Sequence, residues 1–411
     1  MDTARADALA ARDHLHTHGW IAARNESFRH LPPPAAETWL DASAVTPCDA
    51  APLMGAGWTL HPVGNTPLGP VEARWLDARD PLQRAELFAG LPQPGEGDAA
   101  PFAWAHRALC RQGLRLRVAS SAETETLPTV WLQLRHQPHA SVEAPLLVLE
   151  VADGVRCVLV ETHERSLAQC QCSVAQNLHI HIRLGQGAVL QHLRVVTPGP
   201  HDQLAHHVHA QVGEGARYTQ ALIASGSAYH LQRSAVDLQG VGASARTAGL
   251  LLVADAVLEQ QVQVAHHAAH THSAVEALAL GSGKAHVVAN AHTRIAPGAD
   301  EAAVQQRLNG IPLAGQPRLV LRPHLEIHHD NVQATHGATW GALPEDALFY
   351  ARQRGLDEEN ARTLIVQGMA SALIERCLND PQLGSALRTD ELLTSTLAQH
   401  LAGTPKEAHH G

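Results

Sequence analysis

The middle of the chain, from about residue 145 to 335, consists of short runs in which apolar and polar residues alternate. These runs include PLLVLEV, RCVLVET, LHIHIRL, AVLQHLRVV, HHVHAQV, YTQALIA and HVVANAHTRIA. A period of two is typical of β-strands that bury one face. The region is therefore predicted to be a succession of short strands.

A Gly-x-Gly turn recurs between these runs and begins at Gly185, Gly213, Gly240 and Gly281. The first two intervals are 28 and 27 residues, and the third is 41, close to one and a half such units. One interval holds about two strands with their turns, and a strand follows each turn. A β-sandwich would contain similar strands, but the repeat favours a solenoid, in which each layer packs only against its neighbours.

The segments on either side of the strands have a different pattern. Residues 3–16 are rich in alanine and predict a helix, LPPPAAETW (31–39) leads into another segment, and GLPQPGEGDAAP (90–101) predicts a loop. We therefore expect three domains: an N-terminal helical or mixed region (1–140), a β-solenoid core (141–342) and a C-terminal helical unit (343–411).

The C-terminal unit carries clear helix signals. One helix is predicted to start at Pro344 and end at Gly355, and Asp357 is predicted to cap a second helix that continues to Leu378. DELLTSTLAQHLAG predicts a final helix. The second helix is expected to bury one apolar stripe, made of Ala361, Leu364, Ile365, Gly368, Met369, Ala372 and Leu373.

Composition and charge exclude several classes of function. The 411 residues are 45% hydrophobic, only 3% aromatic, and carry 40 acidic against 30 basic side chains. This negative balance disfavours nucleic-acid or anionic-membrane binding as the main role. Neither an apolar run long enough for a membrane span nor the apolar core of a signal peptide is found, so a cytoplasmic protein is expected.

Cysteines and histidines are the candidate metal ligands. The six cysteines are too scattered for a disulfide framework, and the close pair Cys170 and Cys172 lacks the second pair of a zinc site. The 30 histidines include the clusters HHVH (206–209), HHAAHTH (266–272) and HHD (328–330).

Strand alternation places two histidines of each of the first two clusters on one face. These pairs are His207 with His209 and His270 with His272. Two imidazoles on one strand do not complete a metal site, so exposed or packed histidines are the expectation here. A P-loop, a G-x-S-x-G elbow, an HExxH motif and an evident carboxylate pair are all missing from the sequence.

The stretch 322–356 is the most informative part of the chain. A strand with Leu325 and Ile327 on one face is followed by a turn at Asp330, and then by a short segment that contains Thr-His336-Gly337-Ala-Thr. Gly337 would let another backbone approach His336 closely. From the pattern alone, a histidine satisfied at a strand end is the simpler interpretation.

LEIHHDNVQATHGATWG followed by LFYARQRGL closely resembles the C-terminal signature of SufD-type proteins, which belong to the SufB/SufD scaffold family of the SUF iron–sulfur cluster assembly system. The resemblance is strongest over about 235–378. The HGAT tetrapeptide is specific in this context, because SufB-type paralogues have Glu at the position of Gly337.

The resemblance implies a right-handed parallel β-helix between helical regions and a non-catalytic scaffold. Such a scaffold pairs with a SufB-type scaffold and docks a SufC-type ABC ATPase through its C-terminal helices, with Phe349, Tyr350 and Arg354 as candidate contacts. His336 would face a SufB cysteine and bind iron or a nascent cluster transiently, with no tightly bound cofactor in the isolated chain. Many family members have Cys where this chain has Ala334, so that thiolate is missing here.

Two other functions stay open at this point. A freestanding β-helix enzyme with a histidine-bound metal would need convergent carboxylates, and a SufB-like paralogue would hold the cluster with its own cysteine. The isolated chain is also a candidate homodimer, because an exposed solenoid edge can pair with a second copy.

Overall fold

Two parallel β-sheets that share one apolar core form the body of the protein. The computed structural model describes residues 3–22, 24–40, 57–62, 70–119, 129–138, 140–165 and 173–380, together with residues 391, 393, 394, 396 and 397. The sheets form a parallel β-solenoid of about seven turns. The predicted solenoid is therefore confirmed.

The described strands are β1 (Trp58–Pro62), β2 (Val71–Asp77), β3 (Gln112–Val118), β4 (Val130–His136), β5 (Val142–Glu143), β6 (Leu146–Val151), β7 (Arg156–Glu164), β8 (Ala175–Leu184), β9 (Val189–Thr197), β10 (Gln203–Val212), β11 (Arg217–Ser225), β12 (Tyr229–Leu238), β13 (Ser244–Ala254), β14 (Val257–His266), β15 (His272–Gly283), β16 (His286–Ile295), β17 (Ala302–Gly315), β18 (Arg318–Ile327) and β19 (Val332–Trp340). From β6 onward, consecutive strands belong to opposite sheets, and each strand pairs with the next strand but one. One solenoid turn therefore contains two strands, as the 27- to 28-residue interval predicts.

The described helices lie at the two ends of the chain: α1 (Thr3–His18), α2 (Glu37–Leu40), α3 (Pro81–Leu87), α4 (Ala100–Leu109), α5 (Glu345–Gln353) and α6 (Glu358–Leu378), with a 3₁₀ turn at Glu26–Phe28. The N-terminal helices cover the outer face of the ten-stranded sheet, where Phe28, Trp39 and Phe102 pack against Ala205 and Leu231. Helix α6 covers the outer face of the nine-stranded sheet, where Leu373 and Ile374 pack against Leu250 and Leu278.

Three of the four predicted Gly-x-Gly turns link two strands. Their second glycines are Gly187, Gly215 and Gly242, which have φ between +61° and +71°. The prediction for the fourth is partly wrong: Gly281 lies inside β15, and the chain turns only at Gly283, which has φ +63°, and Lys284, before β16. The adjacent bulge belongs to β17, where Leu313 is the extra residue, because Gly281 pairs with Pro312 and Ser282 pairs with Ala314.

The N-terminal region contains strands that the sequence did not predict. Strands β1 to β4 extend both sheets, and β1 with β4 and β2 with β3 are antiparallel pairs at one end of the solenoid. The predicted helix over residues 3–16 is confirmed by α1, and the loop before Ala100 is also present. The division into three domains stays a prediction.

The predicted stripe of α6 is partly wrong. The helix ends and the Asp357 cap are confirmed, but Leu364 and Gly368 are exposed, whereas Val366, Ala370 and Ile374 are buried. Of the predicted final helix, five residues are described and all are helical. Cys48, Cys170 and Cys172 lie outside the described residues. No helix in the described part of the chain is both long and apolar enough to cross a membrane.

Candidate functional site

The C-terminal end of the solenoid has two uncovered strands. β18 is the last strand of the ten-stranded sheet and β19 is the last of the nine-stranded sheet, and no described strand pairs with either outer edge. At this end the apolar side chains of Ile327 and Trp340 are 45% and 65% exposed. A long parallel edge with free backbone groups is a template for pairing with another chain.

His336 lies at the centre of this edge on β19. It is in register with Gln306 of the preceding layer, and Gln306 points into the solenoid, where its Nε2 donates to Thr293 Oγ1 at 2.9 Å. Because in-register residues of parallel strands share a face, His336 also belongs to the inner face. It is exposed because the solenoid ends there. The sequence did not predict this inward orientation.

Two neighbours of His336 leave space around it. Ala334, two residues earlier on the same face, packs with only a methyl group against the buried apolar cluster that contains Val304. A Cβ on Gly337 would meet no atom within 4 Å, and the glycine does not have a positive φ. Among the described residues, neither packing nor backbone conformation requires glycine at position 337, on the outer face of β19.

A column of mostly polar residues, interrupted by Val275, extends inward from His336. The strand registers stack His336, Gln306, Val275, Thr247, Gln220 and His192 in successive layers of the nine-stranded sheet. Gln306 Oε1, Thr247 Oγ1 and Gln220 Nε2 are buried and have no hydrogen-bond partner among the described residues. Buried polar groups are normally paired, so this column is unusual in a solenoid interior.

The column ends in a buried ionic network around Glu161. Arg194 Nη2 lies 3.1 Å from Glu161 Oε1, His192 Nε2 lies 2.7 Å from Oε2, and His163 also contacts this carboxylate. Burial alone would raise the pKa of Glu161, but Arg194, His163 and His192 together hold this pKa well below its usual range. The carboxylate is therefore ionised, and its charge is balanced by Arg194.

The candidate ATPase contacts lie on α5. Phe349 and Tyr350 are 65% and 60% exposed, and the Arg354 guanidinium lies over the Tyr350 ring, 4.7 Å from its centroid. The side chains do not pack onto the solenoid. Whether they bind an ATPase stays a prediction, as does the role of His336.

The histidines within each sequence cluster lie in different environments. His207 and His209 share the outer face of the ten-stranded sheet, as predicted, whereas His206 points into the core and contacts Gln176. The predicted common face of His270 and His272 is wrong, because His270 has φ +57° and lies in a turn before β15. A residue in this left-handed conformation interrupts the strand alternation.

Both histidines of the third cluster, HHD (328–330), contact carboxylates. His328 lies 2.7 Å from Glu326, and His329 lies 3.3 Å from Asp300.

The three described cysteines are buried thiols and are not available as metal ligands. Cys110, Cys157 and Cys377 are free and buried, and burial raises the pKa of each thiol to about 12. The expected packing role of Cys377 is confirmed, since it lies in the apolar contact between α6 and the nine-stranded sheet. A thiolate for a cluster at His336 is therefore not supplied by these three residues.

The fold and its uncovered end define a β-solenoid protein whose terminal strands are available for pairing. Residues 134–369 match the family model described as SUF system FeS cluster assembly, SufBD core domain. The chain therefore belongs to the SufBD family, and within it is of the SufD type, in agreement with the resemblance of residues 322–356.

Individual relatives support this assignment. The iron–sulfur cluster assembly protein SufD of Escherichia coli (strain K12) is 24% identical over 252 residues, which are 61% of this chain and 56% of that protein. SufD of Plasmodium berghei (strain Anka) is 26% identical over 249 residues, 59% of this chain and 18% of that protein. A SufBD family protein of Synechocystis is 35% identical over 83 residues, 20% of this chain and 18% of that protein. The chain thus matches little more than half, or less, of each relative's length.

Proposed function

We propose that this chain is a non-catalytic scaffold subunit for iron–sulfur cluster assembly, in a complex with a SufB-type scaffold and a SufC-type ABC ATPase. Membership of the SufBD family supports the assembly role. The observation that carries the proposal is the uncovered end of the solenoid, where β18 and β19 expose free edges and β19 carries His336. The cytoplasmic location stays a prediction.

The partner scaffold is proposed to pair with these edges. The two strands offer ten and nine residues of backbone, and the exposed Ile327 and Trp340 add apolar surface. Main-chain hydrogen bonds would supply affinity, and the side chains at the end would fix the partner's register. A SufB-type β-helix with the same strand spacing is the natural occupant.

His336 is proposed to bind iron or a nascent cluster transiently, together with a cysteine of the SufB-type partner. Imidazole is a ligand for iron, and a thiolate is the usual ligand of iron–sulfur clusters. Ala334 provides no thiolate, and the cysteines of the described part of the chain, Cys110, Cys157 and Cys377, are buried elsewhere. We therefore assign the sulfur ligand at this site to the partner. The iron is cargo that the complex passes on, and not a resident cofactor.

The ATPase is proposed to dock on α5. In a chain with few aromatic residues, Phe349 and Tyr350 project two rings into solvent next to the stacked Arg354. Aromatic and arginine side chains are enriched at the centres of interfaces. Helix α6 fixes α5 to the solenoid, so a force applied at α5 would reach the nine-stranded sheet that ends at His336.

Affinity purification of the tagged chain from its own host tests this proposal, with the bound proteins identified by mass spectrometry. We expect recovery of an ABC-type ATPase and a second β-helical scaffold. Removal of these partners should expose the edges, and light scattering would then show whether the isolated chain forms a homodimer. Recovery of the chain alone with a stoichiometric metal and a measurable turnover would instead support a freestanding enzyme.

A further inference from the structure

Four histidines from two adjacent strands meet on the outer face of the ten-stranded sheet. His179 and His181 of β8 are in register with His207 and His209 of β10. Their rings are stacked, with centroid distances of 4.6 Å for His179–His207 and 4.9 Å for His181–His209. The cluster belongs to the opposite sheet from His336 and lies several layers away from the uncovered end. It is therefore independent of the proposed scaffold function.

The cluster lines a cavity of about 280 Å³ between the sheet, α4 and the loop that precedes α4. His181 and His209 are half-buried at its wall, whereas His179 and His207 are only 3% and 1% exposed. The Nε2 atoms of His179 and His207 have no hydrogen-bond partner among the described residues. A buried polar atom without a partner is costly, so these two atoms indicate that the cavity accommodates a ligand.

The nitrogen positions fit a metal ion. One ring nitrogen from each of His179, His181 and His209 lies within 4.8 Å of the other two. Around a tetrahedral ion with metal–nitrogen distances of about 2.1 Å, ligand nitrogens are about 3.4 Å apart. Small rotations of the three rings would close this difference. We propose that His179, His181 and His209 bind one divalent transition-metal ion of the class that imidazole prefers, such as Zn²⁺ or Ni²⁺.

The charges around the cavity are compatible with a cation. Arg107 and Arg233 contribute to the wall: Arg107 pairs with Asp7 at 2.9 Å, whereas Arg233 hydrogen-bonds only neutral glutamines among the described residues and keeps its positive charge, which Asp98 offsets in part. Asp98 also lines the cavity and adds a negative charge. Three protein ligands leave a fourth position of the ion open to the cavity.

Calorimetric titration of the full, chelator-treated chain with Zn²⁺ tests the site. We expect one ion per chain at the tightest site and at least a tenfold weaker affinity in H181Q/H209Q. These two side chains are half-buried, so their replacement should preserve the fold, which circular dichroism would verify. The matched control is H267Q/H272Q, which removes two exposed histidines outside the cluster and should leave the tightest site unchanged.

Anomalous diffraction from crystals of the unmodified chain grown with Zn²⁺ gives a second readout that does not depend on a variant. We expect a peak among the three imidazoles. The inference is overturned if the anomalous map has no peak in the cavity, or if H181Q/H209Q binds Zn²⁺ as tightly as the unmodified chain. Either result would mean that the stacked imidazoles serve packing alone.

Discussion

Glu161 is an ionised carboxylate at the centre of a solenoid, where apolar side chains normally pack. It is fully buried, and its charge is balanced by Arg194, which also donates to Gln232 at 2.9 Å. Taking an ion out of water is costly, and the cost is offset only while every partner is in place. Loss of any one partner in this network should therefore lower the free energy of unfolding.

Glu161→Ala should lower the free energy of unfolding by about 3–5 kcal/mol, because it leaves Arg194 buried without a counter-charge. Urea denaturation followed by circular dichroism measures this change. Glu358→Ala is the control: Glu358 forms an exposed pair with Arg362 on α6, and its loss should cost less than about 0.5 kcal/mol. Equal midpoints for the two variants would show that the Glu161 network contributes little.

Single residues were predictable where the motif is contiguous in sequence. Strand alternation correctly paired His207 with His209, and the HGAT motif selected His336, whose role stays a prediction. Alternation failed at His270, because a left-handed turn residue is not visible in a polar–apolar pattern. The partners of His209 on β8 were also not predictable, since they depend on the register between strands about 28 residues apart.

The turns between strands stack as regularly as the strands themselves. Gly187 N donates to Glu214 O, and Gly215 N donates to Val241 O in the next layer, both across the same corner of the solenoid. Gly240 lies in the same column, and a Cβ there would come within 2.1 Å of the backbone nitrogen of Glu214. The glycine repeat in the sequence therefore reflects close contact between layers.

Gly240→Ala should destabilise the protein more than Gly187→Ala. At Gly187 an added Cβ meets no atom within 4 Å, so the cost is only that of the left-handed conformation, about 1–2 kcal/mol. At Gly240 the backbone of the adjacent layer must also move. Thermal unfolding of both variants compares these costs, and a larger loss for Gly187→Ala would contradict the stacked-turn interpretation.

Helix α5 is held at the surface with its aromatic side chains exposed. F349A/Y350A should therefore abolish ATPase binding while the unfolding temperature stays close to that of the unmodified chain. A pull-down with the purified ATPase measures the binding. Leu82→Ala is the control, because Leu82 is an 82% exposed apolar residue on the distant helix α3. Undiminished binding by F349A/Y350A would remove α5 from the proposed interface.

Helices and strands were largely predictable, because their boundaries carry caps, prolines and glycines. The buried face of α6 was not, since several overlapping stripes of this helix are similarly apolar. In the structure, the buried stripe is the one that packs against β11, β13 and β15, and Leu364 is exposed. Strands β1 to β4 were missed because the regular interval of Gly-x-Gly turns does not extend to them, and two helices, α3 and α4, separate β2 from β3.

Across the entire chain, burial keeps many histidines neutral. Burial lowers the pKa to about 3 or 4 for His106, His181, His209, His230 and His266. In the unfolded chain these groups have a pKa near 6.5, so below this pH the unfolded state binds more protons. Burial raises the pKa of Glu259 to about 7, so this carboxyl group binds more protons in the folded state and partly offsets the effect of the five histidines.

The free energy of unfolding should therefore be highest above about pH 6.5 and decrease as the pH falls toward about 4. Each of these five histidines contributes a slope of about 1.4 kcal/mol per pH unit in this range. The five histidines less the opposing Glu259 amount to about four such groups, or about 5–6 kcal/mol per pH unit, so a domain with the usual stability of about 5–15 kcal/mol should unfold in acid above pH 4. Urea midpoints measured between about pH 8 and pH 5 check this, and a constant midpoint would contradict it.

The central claim is that His336 at the uncovered end of the solenoid takes part in forming the cluster. The most direct measurement is iron–sulfur cluster formation by the purified complex that contains His336→Ala, followed by ultraviolet–visible and Mössbauer spectroscopy. The control is Gln333→Ala, which removes an exposed side chain from the outer face of the same strand. We predict that both variants assemble with their partners, and that only His336→Ala loses most of the cluster. Full cluster formation by His336→Ala would contradict the claim, and failure of this variant to assemble would make His336 a structural residue.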